Sequence, residues 1–230
     1  MYPAVFHLQR PESLSRLRLI LRPVLVLPIL IWALPYSLFA GFLHVLAWWS
    51  ILFSGRHPQL LWDLLEGYFR FIAKIHAYMM CLTDAYPPFS GGADAPSPVR
   101  IHIMYPGRLS RSTTVFRPLI LFPHYFYCIG YSTMYAAVHF LHFWTILFLG
   151  RMAAWQRTQT ERYYTYMSRL AAYGMLLVDE YPPFNGAQPR AAERVFSATG
   201  DSSIVNAGAH PASEHDASHH ADNNAVPVKK

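Results

Sequence analysis

Two aspartates and two histidines are the side chains whose types and places could do chemistry. Asp84 opens the run Asp84-Ala85-Tyr86-Pro87-Pro88-Phe89, and Asp179 opens Asp179-Glu180-Tyr181-Pro182-Pro183-Phe184. A catalytic carboxylate needs an acid, base or nucleophile within hydrogen-bond reach. An aspartate ahead of an extended Pro-Pro segment can instead form an Asx-type turn or pair with an arginine. The structural role is preferred, with Arg22 and Arg56 as candidate partners of Asp84. Proline drives the residue before it out of the helical region, so both closing runs read as extended. Their aromatic rings suit an anchor at a membrane interface.

His44 and His139 sit in apolar surroundings at matching places, with His142 one turn after His139 and His124 further up the same run. Histidines on facing helices could ligate haem or a metal. An interhelical hydrogen bond, with Tyr36 or Tyr131 as partner, is preferred. No metal site and no cofactor is expected. The arginines Arg16, Arg18 and Arg22, and again Arg108, Arg111 and Arg117, gather ahead of apolar runs. Binding lipid phosphates and marking the flank of a membrane segment explain them equally well. Cys81 and Cys128 read as buried small apolar residues rather than as half of a disulfide framework. His210, His215, His219 and His220 read as tail composition. No phosphate loop, dinucleotide fingerprint, nucleophile elbow, zinc-protease helix or nucleic-acid motif is present.

The elements that must position these residues form a pattern. The chain has 230 residues, 53% hydrophobic and 14% charged, against about 25% charged in soluble domains. Shifted by 95 positions it matches itself without a gap. Leu14-Ser15-Arg16 falls on Leu109-Ser110-Arg111, Arg22-Pro23 on Arg117-Pro118, and Tyr36-Ser37 on Tyr131-Ser132. His44 falls on His139, Gly55-Arg56 on Gly150-Arg151, and the two closing runs on each other.

Each module then has four parts. A short strand (Val5–Gln9, Val99–Met104) leads to an arginine-rich approach. A long apolar helix follows, at about 23–53 and about 118–149, with a kink expected where Pro35 matches Gly130 and a re-entrant hairpin there as the rival. Both runs exceed the ~20 residues that span a bilayer, and the first is too long for a signal core. An amphipathic helix closes the module, at about 58–82 and about 153–178. Asp63, Glu66, Arg70 and Lys74 form its charged stripe in the first copy, a face that should meet the membrane interface or a partner. The fold class is therefore all-α and integral to the membrane: a module over 1–94, a module over 95–184, and a disordered tail over 185–230. Lysine and arginine balance across each apolar run, so parallel and inverted arrangements stay open.

The Arg-Pro entry, the Leu52-Phe53-Ser54-Gly55-Arg56 turn and the Asp-x-Tyr-Pro-Pro-Phe close resemble an uncharacterised family of bacterial membrane proteins, over about residues 5–185. The second copy carries Leu147-Phe148-Leu149-Gly150-Arg151, but Ala153 where the first has Pro58. The resemblance implies a multi-pass protein of the bacterial inner membrane and carries no activity. The expected role is a membrane scaffold or partner-binding subunit that contacts anionic lipid, its partners being lipid, another membrane protein or a second copy, and no nucleic acid. The rivals are a transporter or lipid-handling component and a membrane enzyme or haem-binding redox protein; catalysis is the less favoured.

Overall fold

The computed structural model describes residues 3–8, 13–92 and 97–187. The chain from 188 onward, with most of the expected tail and its four histidines, lies outside the described residues. The described chain is mostly helical, with six helices and one two-stranded sheet.

The two strands form where expected, as β1 (Ala4–Leu8) and β2 (Val99–Ile103), and they pair with each other. The pairing is antiparallel and centred on Phe6 opposite Ile101, with Ala4 opposite Ile103 and Leu8 opposite Val99.

The arginine-rich approaches are themselves helical, which extends the predicted helices toward the N-terminus. They form α1 (Arg16–Leu25) and α4 (Arg111–Ile120). Ser15 and Ser110 start them, their hydroxyls accepting the N–H of Arg18 at 3.5 Å and of Thr113 at 3.3 Å. The ladder breaks at Val26 and Leu121, because Pro28 and Pro123 have no N–H to continue it. The long helices then run unbroken as α2 (Leu27–Ser54) and α5 (Phe122–Leu149). The break in the helix therefore falls at Val26 and Leu121, and the helix continues through Pro35 and Gly130, so there is no re-entrant hairpin there. Both helices stop on a glycine in the left-handed region, Gly55 at φ 70° and Gly150 at φ 71°.

The second helices are α3 (Gln59–Met79) and α6 (Ala154–Gly174). Each folds back on the long helix before it. Tyr68 donates its hydroxyl to Ser37 at 2.9 Å, and the hydroxyls of Tyr163 and Ser132 meet at the same distance. The halves join where α3 crosses α6. The Tyr164 hydroxyl donates to the Ala73 carbonyl at 3.0 Å, and Trp62 Nε1 donates to the Leu177 carbonyl at 3.3 Å. Early α3 thus meets the end of α6, and the two run antiparallel. The Phe6 ring lies 6.3 Å from the rings of both Phe69 and Tyr164, so the sheet sits over the middle of the crossing.

The ties between halves are exchanged. Leu14 donates its N–H to the Gly150 carbonyl at 2.9 Å, and Leu109 to the Gly55 carbonyl at 3.3 Å. Helix α1 packs on α5 and α4 on α2. An approximate two-fold axis through the Phe6–Ile101 pair and the Phe69–Tyr164 crossing accounts for these contacts. It runs across the helices, so α3 and α6 run in opposite directions.

The charged stripe of α3 is covered by the chain itself from Glu66 to Lys74, while Asp63 at its start is exposed. Glu66 and Lys74 are buried. Arg70 pairs with Glu66 at 2.6 Å, and Lys74 donates to the Gly92 carbonyl at 3.2 Å, because the closing segment turns back over the helix. In the second half Arg169 donates to the carbonyls of Asn185 at 3.4 Å and Ala187 at 3.2 Å. Among the described residues nothing covers the outer faces of α2 and α5, leaving Trp32, Leu38, Phe42, Phe126, Phe140 and Phe148 exposed. Both helices are long and apolar enough to cross a membrane.

Candidate functional site

The two motif aspartates are the centres of two matching clamps. Arg22, on α1, donates to Asp84 Oδ1 at 2.6 Å, to the Thr83 carbonyl at 3.4 Å and to the Tyr78 carbonyl. Its guanidinium lies 4.5 Å from the centre of the Tyr78 ring. The other oxygen of Asp84 accepts the Ser15 N–H at 2.5 Å, at the start of α1. Ninety-five residues on, Arg117 pairs with Asp179 at 3.0 Å, donates to the carbonyls of Tyr173 and Val178, and lies 4.1 Å over the Tyr173 ring. Asp179 accepts the Ser110 N–H at 3.0 Å. Each carboxylate is held by a cation and a helix start, an arrangement that fixes where α1 and α4 leave the ends of α3 and α6. Of the two candidate partners of Asp84, Arg22 is the real one. Arg56 stands elsewhere, its backbone bridged to Arg108.

Arg22 and Arg117 are therefore withdrawn from the six arginines assigned to lipid phosphate: both are buried inside the clamps. The other four, Arg16, Arg18, Arg108 and Arg111, are exposed. Arg16 donates to the Phe148 carbonyl at 2.9 Å, capping the end of α5. Arg111 lies against Gly55 at the end of α2. The two-fold thus collects Arg16, Arg18 and Arg151 at one end of the molecule and Arg108, Arg111 and Arg56 at the other. This explains why positive charge is balanced across each apolar run.

The histidines do not pair with Tyr36 and Tyr131, which correct to ring contacts. Tyr36 packs on Tyr68 and Phe71, and Tyr131 on Tyr163 and Tyr166. His44 lies near the Met175 backbone and Arg117, whereas His139 lies near Arg22. The exchange of halves sends them to opposite ends. His139 is instead grouped with Tyr135 and His142, with ring centres 5.8 and 5.9 Å away. His142 is fully buried and meets the Thr160 hydroxyl at 3.3 Å.

Two glycines escaped the sequence reading. Lys74 and Arg169, residues of the charged stripes, hold the closing segments, and Gly91 and Gly186 let them pass. A Cβ on Gly91 would lie 1.8 Å from the Gly67 carbonyl oxygen, and one on Gly186 would lie 1.7 Å from that of Arg162. The signal was present, since both pairs stand 95 apart. The turn after α3 was also missed: Cys81 takes a left-handed φ of 59° and its equivalent Leu176 one of 64°. Both cysteines are free, Cys81 buried and Cys128 half-buried. Burial pushes the Cys81 thiol pKa up. Burial also lowers the pKa of His57, in the turn between α2 and α3, and the charge of Arg117 adds to this.

Similarity to known proteins is confined to one stretch. Residues 16–91 match the family described as Domain of unknown function (DUF4389). The match runs from the start of α1 through the first clamp to Gly91. No curated protein and no solved structure matches the chain.

Proposed function

We propose that the chain is an integral membrane scaffold or partner-binding subunit, built from two inverted copies of one module. One observation carries this reading: a sheet that exposes Arg100 and His102 lies at mid-height of a helical layer whose flanks are apolar. Phe6 places β1 over the middle of α3 and α6, and on β2 the neighbouring Arg100 and His102 point outward, exposed. If α2 and α5 cross the bilayer, Arg100 falls near its centre. A cation facing lipid there is strongly disfavoured. The edges of a two-stranded sheet would also be left without hydrogen-bond partners. The sheet face must then meet a protein partner or a second copy, while α2 and α5 face lipid. The arginine triads at the two ends fit the headgroup regions of the two leaflets, where they contact anionic lipid.

Mass measurement of the protein extracted in mild detergent tests this, combined with labelling of a cysteine introduced at His102 by a bulky polar maleimide. The expected result is a particle heavier than one chain with position 102 shielded. A single chain with position 102 freely labelled would overturn the partner-binding role. Reporter fusions after Arg56 and after Arg151 should lie on opposite sides of the membrane. Finding both on one side would replace crossing helices by helices lying in one leaflet.

A further inference from the structure

Between α3, α6 and the first half of α5 lies a cavity of about 710 Å³, within the range of small-molecule sites. Its walls include Phe69, Ile72, Met80, Leu121, Met167 and Met175, and no Asp, Glu, Lys or Arg lines it. A cationic ligand would find no counterion there, and an anionic one only the imidazoles of His76 and His124. Phe122 and Tyr125 line the cavity and are also 59% and 65% exposed on the outer side of α5. The cavity therefore opens toward the face assigned to lipid.

His76, Tyr163 and Ser168 also line this wall, and one polar group in it is buried with a nitrogen unmatched. His124 is 1% exposed, its ring stacked on Phe184 at 4.2 Å and 12°. Its Nδ1 meets the Tyr166 hydroxyl at 2.7 Å, which lies 3.7 Å from Cys128 Sγ. Its Nε2 is buried and has no hydrogen-bond partner. An unmatched buried group of this kind costs stability unless something fills its place.

The fold does not require the group. The residues 95 earlier than His124, Cys128, Tyr166 and Ser168 are Ile29, Ala33, Phe71 and Ala73. Ile29, Ala33 and Phe71 form a closed apolar cluster with Ile75 and Tyr78. The same backbone is thus packed shut with hydrocarbon in one half and carries an unsatisfied imidazole in the other.

We infer that this cavity binds a hydrocarbon chain with a neutral hydroxyl or carbonyl head, of the acylglycerol kind, whose head hydrogen-bonds His124 Nε2. A hydroxyl suits either tautomer of the imidazole, since it can accept from Nε2–H or donate to a bare Nε2. The site rests on the reading of α5 as lipid-facing.

A photoreactive monooleoylglycerol tests it on the full chain in nanodiscs, with photoreactive oleate as the charged control. Adducts are expected within 118–128 and 163–175, with less from oleate. His124→Ile together with Tyr166→Phe installs the residues of the first half. It should weaken labelling about five- to tenfold without lowering the thermal midpoint. Ala171→Trp, which fills the cavity, should abolish labelling. Equal labelling of the wild type and the double variant, adducts confined to the outer faces of α2 and α5, or stronger labelling by oleate would each overturn the proposal. Alkaline carbonate extraction reads the membrane assignment separately. Release of the protein without detergent would sink that assignment whatever the probe does.

Discussion

Arg22 and Asp84 form a 2.6 Å ion pair in which both side chains are largely shielded, at 7% and 15% exposure. The pair joins α1 to the turn after α3, 62 residues later. Removing one partner leaves the other buried and uncompensated, and such losses cost about 3–5 kcal/mol. Asp84→Ala should lower the thermal midpoint in detergent sharply, and Asp179→Ala less, because Asp179 is 31% exposed. Equal small shifts in both would show that neither clamp bears on stability.

The closing segments pass over α3 and α6 at glycines with no room for a methyl group. Gly91→Ala should destabilise by about 2 kcal/mol or more, since its Cβ would collide with backbone rather than with a side chain that could swing away. Gly92→Ala is the control, because its added Cβ would meet only the Ser90 hydroxyl at 3.8 Å. Limited proteolysis should cut the Gly91 variant in the 86–92 segment and spare the control.

His57 supplies a pH dependence. Burial holds its folded pKa below the ordinary 6.5. Above 6.5 the imidazole is neutral in both folded and unfolded chains, and the full stability is present. As pH falls below 6.5 the unfolded chain takes up a proton that the folded chain refuses, and stability declines. His57→Gln should flatten the fall in thermal midpoint between pH 7.5 and pH 5. An unchanged slope would assign the acid sensitivity to other groups.

The arginine triads should be seen in lipid retention. Replacing Arg18 and Arg151 by Gln at one end, or Arg56 and Arg108 at the other, should reduce copurifying phosphatidylglycerol in native mass spectra by a similar amount. High salt should reproduce the loss, because exposed charges are screened. Arg16 and Arg111 are poor choices for this test, as they also pack at the ends of the opposite long helices.

How much could be read in advance depended on how local each feature is. The strands, both long helices and both second helices follow from hydropathy period and from the 95-residue self-match, which depend on near neighbours in sequence. The helical start at Arg16 was missed because the serine cap that makes it is one residue long. The roles of Lys74 and Gly91 were hidden because their contacts form only when the closing segment returns over α3. The match of Asp84 to Arg22 rather than Arg56 had the same cause: both arginines are plausible until the fold sends Arg56 to the far end.

The sequence by itself determined that there are two long apolar helices, that the chain repeats its turns and closing motif, and that charge flanks the apolar runs evenly. Only the tertiary structure decided that α1 packs on α5 and α4 on α2, each on the long helix farther along or back in the chain. That outcome depends on antiparallel pairing of β1 with β2 and of α3 with α6, contacts between residues about 95 apart that no local pattern encodes. It also decided that His44 and His139 stand at opposite ends, and that His124, read as one more histidine in an apolar run, faces a cavity with one nitrogen unmatched.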